Sequence, residues 1–522
     1  MSLTSTSDEA PAAVGFRSQR GPVLIALMLC SALVAIDSTI IATAVPSIVE
    51  DLGGFSQFPW LFSSYLLAQA VSVPIYGKLS DLYGRRPLMF FGIGVFLLGS
   101  VLCGVAWSMP VLIVARVVQG LGAGAILPIA LTIAGDIYTV AERARVQGYL
   151  ASVWAISAVV GPTLGGVFSE FVSWRWIFFV NLPVGALATW MLLRAFHENV
   201  TRRAHTIDVA GAGTLTIGCS LLILGLLEGG VAWTWTSPMS LALFAVGIAL
   251  LVAFALIGRR AVEPILPLWV LSRRILAATS LVSLLVGGLV VGLTSYVPTY
   301  VQSVLGFGPL VAGFALATLT IGWPLAAALA GRIYLRIGFR DTALIGAGIA
   351  LLGTFLVTLL DEHSSVFTVA AYCFVLGLGM GLIARPTLVA AQSVVGWDQR
   401  GVVTGTNMFA RSAGSAIGVA VFGAIANTRL ALRFDHPPTG VRGTLPTDAD
   451  AASAAVKSGS TAPAGVQEFV RGALTDATHH VFLGAFVAAA VMAAMILLIP
   501  RRTHEVGASG SPAPAPLTPT DD

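Results

Sequence analysis

Long apolar runs separated by short polar segments fill most of the chain. Fourteen of these runs approach or exceed the roughly 20 residues that an α-helix needs to cross a bilayer. They lie at 22–45, 58–76, 88–107, 110–132, 146–168, 176–195, 209–227, 239–258, 276–300, 309–331, 342–360, 366–390, 403–426 and 481–499. The pattern therefore predicts an all-α integral membrane protein with 14 transmembrane helices and, because that number is even, both termini on one side.

The composition agrees with this pattern. The residues A, V, I, L, M, F, W, Y and C make up 56% of the chain and charged residues only 10%, against about 25% charged residues in soluble domains. So few charges do not cover a soluble protein of 522 residues. The first span follows Arg17 and Arg20, as a signal peptide would, but it is longer than a signal-peptide apolar core. We therefore expect an uncleaved helix.

Basic residues are concentrated in alternate loops. Those loops and the two tails contain 20 of the 29 Lys and Arg residues, whereas the opposite loops carry acidic residues such as Glu50, Asp51 and Asp361. By the positive-inside rule, the basic loops and both termini face the cytoplasm. The net charge of +4 thus reflects membrane orientation and not nucleic-acid binding. We expect a multi-pass protein of a bacterial plasma membrane.

Signatures of metal, nucleotide and enzyme sites are missing from the sequence. The four cysteines lie in apolar runs, with neither a C-x-x-C pair nor a His-rich neighbourhood. There is no P-loop and no G-x-S-x-G nucleophile motif. We expect no metal, no organic cofactor, no enzymatic activity and no direct use of ATP by this chain.

The polar loop after the second span carries an ordered motif, G-K-L-S-D-L-Y-G-R-R, whose key positions are Gly77, Asp81, Gly84, Arg85 and Arg86. This loop resembles the signature loop of the major facilitator superfamily. The resemblance implies that the Asp and Arg help to lock the cytoplasmic side in one state of a rocking cycle. A degenerate copy without the Asp follows the tenth span at 331–340, as an internally repeated transporter predicts.

Two further helices resemble the same family. Arg116 in the fourth span matches a membrane-embedded arginine, and a guanidinium in lipid is costly unless it faces protein or water, so we expect it to have a partner. The fifth span resembles the antiporter motif, in which small residues and proline allow a kinked, closely packed helix. Its positions are Gly148, Ser157, Gly161, Pro162, Gly165 and Gly166. Ser157 replaces a glycine that is frequent in the family and keeps the position small.

Asp37 is the acidic residue that lies well inside a predicted span. Its surroundings at 35–46 resemble a motif typical of the fourteen-helix drug:proton antiporter branch of the superfamily. An intramembrane carboxyl is a candidate functional group, since it exchanges a proton wherever it meets a water-filled cavity. We therefore expect Asp37 to couple protons or substrate to transport. The alternative is a structural ion pair or hydrogen bond.

Three other charged residues lie in or near the spans. Arg385 falls well inside the twelfth span, and we group it with Asp37 and Arg116 as residues that couple transport at the central cavity. Arg411 lies early in the thirteenth span, from which a side chain reaches the cytoplasmic interface by snorkelling. Glu228 ends the seventh span at the opposite interface and is expected to be an interface residue.

The resemblance also implies a domain organisation. Two pseudo-symmetric six-helix bundles, at 22–195 and 275–500, flank the region 196–274, which contributes an inserted helix pair. An extracytoplasmic loop at 427–480 belongs to the second bundle. The cytoplasmic tails are 1–21 and 501–522, of which the second is expected to be disordered. Substrate and proton sites would lie between the bundles, near the bilayer midplane.

These features favour a proton-coupled exporter of small hydrophobic or amphipathic compounds, of the multidrug efflux type, that works by alternating access. Its expected partners are a small-molecule substrate, the lipid bilayer and the proton as coupling ion, and we expect it to act as a monomer. One alternative is an exporter of the same fold with a single dedicated substrate, such as an antibiotic, a siderophore or a lipid. Another is a membrane sensor or scaffold that transports nothing.

Overall fold

The computed structural model describes residues 15–53, 60–198, 208–229, 233–434 and 464–501, and this part of the chain is almost entirely helical. Its 16 α-helices are α1 (Gly21–Leu52), α2 (Trp60–Tyr83), α3 (Arg85–Gly104), α4 (Met109–Ile137), α5 (Val140–Phe171), α6 (Trp176–Phe179), α7 (Asn181–Ala195), α8 (Val209–Glu228), α9 (Pro238–Gly258), α10 (Leu268–Ser272), α11 (Arg274–Ser303), α12 (Pro309–Ile337), α13 (Phe339–Thr358), α14 (Val366–Ser393), α15 (Arg400–Phe434) and α16 (Ala464–Ile496).

The all-α membrane fold is confirmed. Within the described ranges, 13 helical segments are long and apolar enough to cross a membrane, with α6 and α7 forming one of them. The 24-residue α2 is also long enough, but it is interrupted by polar side chains such as Ser63, Ser64 and Gln69, so it does not count among the 13. The total of fourteen spans stays a prediction.

Several helices extend beyond the predicted apolar spans. The predicted loop at 427–480 differs most, because α15 continues to Phe434 and α16 already begins at Ala464. The physical reason is that an apolar run measures only the lipid-facing length, whereas backbone hydrogen bonds continue a helix through polar residues beyond the bilayer. The centre of that loop, 435–463, and the tail segments 1–14 and 502–522 lie outside the described residues.

The helices form two bundles with the same internal packing. In the first bundle α1 packs on α5 and α7, while α2 and α3 pack on α4; in the second, α11 packs on α15 and α16, while α12 and α13 pack on α14. Each bundle has hydrophobic cores of its own. The pseudo-symmetric arrangement expected of an internal repeat is therefore present.

The bundles meet along two helix pairs. Helix α2 of the first bundle packs on α15 of the second, and α5 packs on α12. Of the inserted pair, α8 covers the α2–α15 contact, where it buries Leu215, Cys219 and Ile223 against Ala70, Val71 and Ala416. We call the end of the molecule at which α1 begins the lower end, and the opposite end the upper end.

Candidate functional site

A buried ion pair joins α1 to α4 inside the first bundle. Arg116 Nη1 lies 2.6 Å from Asp37 Oδ2, and both side chains are only 1% exposed. The Arg116 guanidinium also lies 4.0 Å from the centre of the Tyr65 ring and donates from Nε to the Leu61 carbonyl oxygen at 3.0 Å. The partner that we expected for Arg116 is therefore Asp37.

Uncharged polar side chains complete the surroundings of Asp37. Gln119 and Asn181 donate from their amide nitrogens to Asp37 Oδ1 at 2.7 and 3.2 Å. The Ser100 hydroxyl accepts from the same two nitrogens at 2.9 and 3.3 Å. Because four helices contribute, α1, α3, α4 and α7, a proton on Asp37 would remove the charge that balances Arg116 and disturb all four together. We call Asp37, Ser100, Arg116, Gln119 and Asn181 the central network.

Arg385 does not belong to this network. It lies on α14 in the second bundle, where its Nη1 donates to Gln147 Oε1 of α5 at 2.7 Å. Of the three residues predicted to act together, Asp37 and Arg116 form an ion pair within the first bundle, whereas Arg385 makes a separate contact between the bundles. Gln119 and Asn181 complete the surroundings of the pair, and the sequence did not identify them because the coupling residues inside the spans were predicted from charge.

The signature loop seals the lower ends of the two bundles together. The Asp81 carboxylate pairs with Arg85 Nη2 at 2.8 Å. It also accepts the backbone N–H groups of Gly401 and Val402, at 2.9 and 2.8 Å. These residues begin α15, and the start of a helix attracts anions because its first N–H groups have no partner within the helix. Asp81 of one bundle therefore caps a helix of the other.

Arg85 extends the seal. Its Nε donates to Asp136 Oδ2 at 2.9 Å, its Nη2 donates to the Trp397 carbonyl oxygen, and its guanidinium lies 3.8 Å from the centre of the Trp397 ring. Asp136 in turn pairs with Arg400 Nη1 at 3.0 Å. The lower seal consists of the side chains of Asp81, Arg85, Asp136 and Arg400 and the backbone of Trp397, Gly401 and Val402.

Two acidic residues at this end, Asp136 and Glu198, were not predicted from the sequence to be site residues. Asp136 lies on α4 just past the predicted span 110–132, and Glu198 follows α7. Glu198 accepts the backbone N–H groups of Arg85 and Arg86 at 3.0 and 2.8 Å. The Arg86 side chain points elsewhere and donates to the Leu193 carbonyl oxygen at 3.2 Å. Arg86 thus contributes its backbone to the loop rather than its charge to the seal.

Gly77 and Gly84 of the signature loop must be glycine for different structural reasons. A Cβ on Gly77 would lie 2.7 Å from the Gly401 carbonyl oxygen, so only glycine allows α2 to approach α15 this closely. Gly84 has φ 94° and ψ 158°, a conformation that other residues avoid. Gly338 in the degenerate copy matches it with φ 87° and ψ 166°. The copy has no carboxylate, and its Tyr334 hydroxyl bonds to the Val140 carbonyl oxygen at 3.2 Å instead.

The antiporter motif packs α5 tightly against α1. A Cβ on Gly161 would lie 2.9 Å from Thr39 Cβ, and a Cβ on Gly165 would collide with the Ile40 carbonyl oxygen. The Ser157 carbonyl oxygen accepts from the Thr39 hydroxyl at 3.0 Å. Of the remaining positions, Gly148 faces Ala328 of the second bundle, Gly166 has open space, and the Pro162 side chain lies outside the described residues.

Gly165 and Gly166 form a matched pair for testing this contact. We expect Gly165→Ala to lower the stability of the protein by about 1–3 kcal/mol, because the added methyl group overpacks the α1–α5 contact. We expect Gly166→Ala to be neutral or stabilising by up to about 1 kcal/mol, since alanine favours the helix and meets no neighbour. Thermal unfolding in detergent measures both. Equal midpoints for the two variants would contradict the tight α1–α5 contact.

The upper end of the first bundle holds an exposed polar contact. Beyond the apolar part of α1, Asp51 Oδ2 accepts from Arg175 Nη1 at 2.7 Å and from the Trp174 indole at 3.0 Å. The hydrogen bond from Arg175, followed by that from Trp174, lowers the pKa of the Asp51 carboxyl below its ordinary value. Asp51 is therefore charged at neutral pH. Glu228, predicted to be an interface residue, ends α8 and is 9% exposed.

Comparisons with known proteins agree with this architecture. The sequence profile described as Major Facilitator Superfamily matches residues 27–419. Multidrug resistance protein 3 of Bacillus subtilis (strain 168) is 34% identical over 421 residues, covering 81% of this chain and 82% of that protein. Multidrug transporter protein MdtP of the same organism is 33% identical over 415 residues, covering 80% and 77%.

A solved structure with low sequence identity has the same fold. The crystal structure of the human organic anion transporter MFSD10 (TETRAN) matches 90% of this chain and 99% of its own, with a TM-score of 0.59 and 15% sequence identity. The family profile covers both bundles, and the relatives match along most of their lengths. The chain is therefore a multi-pass membrane protein that belongs to the Major Facilitator Superfamily.

Proposed function

We propose that this chain is a proton-coupled exporter of small hydrophobic or amphipathic compounds that works by alternating access. The names of its relatives, a multidrug resistance protein and a multidrug transporter, support transport of such compounds. The observation that carries the mechanism is the position of the contacts between the bundles. Among the described residues, the hydrogen bonds that join the bundles lie in their lower halves.

This distribution supports a structure that is closed below. The seal has discrete, reversible components, namely ion pairs and a helix cap, so the same bundles can separate below when they approach above. The basic residues of the lower loops support a cytoplasmic lower end and cytoplasmic termini. In that orientation, the conformation described here would release its compound outside the cell and receive a proton there.

The central network is suited to respond to that proton. Neutralising Asp37 would leave Arg116 without its counter-charge in a fully buried position, and an unpaired buried charge is costly. The two end states would then differ in energy according to how each accommodates the free guanidinium. A proton shifts the balance only through this difference between states. The proposed order is proton binding at Asp37, rearrangement of α1 and α4, and opening of the lower seal.

The test is solute transport by purified protein in proteoliposomes. Three amphipathic probes represent the charge classes: N-phenyl-1-naphthylamine (neutral), 8-anilinonaphthalene-1-sulfonate (anionic) and ethidium (cationic). An acidic lumen should drive at least one of them inwards several-fold above protein-free liposomes, and nigericin, which collapses the pH gradient, should abolish the accumulation. The orientation of the protein does not matter, because exchange is reversible. Absence of accumulation for all three probes would contradict the proposed function.

A further inference from the structure

Two arginines of the second bundle lack a carboxylate partner among the described residues. The hydrogen bond of the Arg385 side chain goes to the neutral Gln147, and the Arg411 side chain has none in the described part of the chain. In contrast, the guanidinium groups of Arg85, Arg116 and Arg400 pair with Asp81, Asp37 and Asp136. A cation within a membrane protein needs a counter-charge or water. Arg385 and Arg411 therefore lack the carboxylate counter-charge that Arg85, Arg116 and Arg400 have.

The helix register places these two arginines opposite each other. Arg385 precedes Gln392 by seven positions on α14, and Arg411 follows Thr404 by seven on α15, so each shares a helix face with its counterpart. Gln392 Nε2 donates to Thr404 Oγ1 at 2.9 Å, which shows that these two faces meet. The arginines lie two helical turns above that hydrogen bond, about 10 Å along the helices. Because both side chains carry a positive charge, two such residues on facing helices repel each other.

Helix α5 of the first bundle adds a third donor to the same place. The Gln147 side chain is only 2% exposed, and its Oε1 already accepts from Arg385. Its Nε2 is buried with no hydrogen-bond partner, and a buried amide donor without an acceptor is costly. Three helices from both bundles thus contribute N–H donors that have no carboxylate partner, namely the buried Gln147 Nε2, the half-buried Arg385 and the exposed Arg411. Asp136 at the lower end is occupied by Arg85 and Arg400.

We propose that Arg385, Arg411 and Gln147 form a subsite for the negatively charged group of the transported compound, a carboxylate, sulfonate or phosphate. The proposal rests on the proposed export function and names its substrate class. An anion here would accept from two guanidinium groups, which bind planar oxyanions through paired N–H donors. It would also satisfy Gln147 Nε2 and relieve the repulsion between the arginines. Because its ligands come from both bundles, the bound anion would stabilise the lower-closed state.

The test compares two probes that differ in one charged group. The anionic probe is 8-anilinonaphthalene-1-sulfonate, and N-phenyl-1-naphthylamine is the same molecule without the sulfonate. Binding is measured with full-length protein in nanodiscs, after subtraction of empty nanodiscs. We expect Arg385→Gln and Arg411→Gln each to weaken binding of the sulfonate at least tenfold and to change binding of the neutral probe less than twofold. Arg429→Gln, an exposed arginine of α15, is the matched control and should change neither.

Several outcomes would overturn the subsite. The first is an unchanged affinity for the sulfonate probe in both arginine variants. The second is an equal loss of affinity for both probes, which would indicate that the substitutions alter the shape of the binding site. The third is stabilisation of the wild-type protein by inorganic phosphate but not by the sulfonate probe. Arg385→Lys and Arg411→Lys keep the charge and should retain part of the affinity. The proteoliposome assay separates the two proposals. Gradient-driven transport of the neutral probe with no arginine effect overturns only the subsite, whereas arginine-dependent sulfonate binding without transport overturns only the export function.

Discussion

Replacing Asp37 by asparagine should both destabilise the protein and abolish transport driven by a pH gradient. The variant leaves Arg116 charged and 1% exposed without its counter-ion, and breaking a buried ion pair by removing one partner costs about 3–5 kcal/mol. The amide also binds no proton near neutral pH. Thermal unfolding in detergent measures the first effect, and probe accumulation in proteoliposomes with an acidic lumen measures the second.

A double variant separates coupling from structure. Asp37→Asn with Arg116→Gln removes both charges, so no unpaired ion remains, and we expect most of the lost thermal stability to return. Transport should stay uncoupled, with probes moving down their own concentration gradients at a rate that the pH gradient does not change. If the double variant regained gradient-driven accumulation, Asp37 would have only the structural role that the sequence left open.

Asp81→Asn should open the lower end of the molecule. The change removes the charge that attracts Arg85 and the first N–H groups of α15. Charge-assisted hydrogen bonds contribute about 1.5–3 kcal/mol, so the population of the lower-open state should rise roughly tenfold or more. Spin labels at His197→Cys and Ile337→Cys, exposed at the lower end of opposite bundles, measure the distance between bundles. The native cysteines of the described residues are buried and interfere little with labelling.

A carboxylate elsewhere at the same end is the control for this experiment. Asp341 lies 3.5 Å from the exposed Arg501 within the second bundle, and among the described residues it makes no hydrogen bond or ion pair to the first bundle. We expect Asp341→Asn to leave the distance distribution as in the wild type. A distribution that is equally unaffected by Asp81→Asn would show that the lower seal does not hold the bundles closed.

Much of the fold was predictable because the bilayer imposes a simple length rule. Apolar runs of about 20 residues identify helices whatever their tertiary contacts. The ends of the helices were less predictable, since α4 and α15 continue through polar residues that lie beyond the lipid. That error concealed Asp136, which falls outside the predicted span yet binds Arg85 and Arg400 at the centre of the lower seal.

The site was predictable where the interacting groups are charged side chains within the predicted spans. Arg116 required a partner, and Asp37 was the acidic candidate inside a span. The partners of Asp81 in the second bundle were not predictable, because they are backbone N–H groups of Gly401 and Val402, far along the chain. Arg385 was grouped with Asp37 because both are charged residues within spans. The structure separates them, because packing rather than charge decides which bundle face each side chain occupies.

The central claim is that this chain exchanges a solute for protons, and the most direct test is the luminal pH of proteoliposomes that start without a pH gradient. The probe that proves to be transported is added outside the proteoliposomes, so that its concentration gradient drives it inwards. A pH-sensitive dye trapped inside reports the luminal pH. The account predicts that the lumen becomes alkaline as the solute enters and protons leave, and that Asp37→Asn/Arg116→Gln moves the solute without any pH change. Entry of the solute through the wild-type protein at constant luminal pH would contradict it.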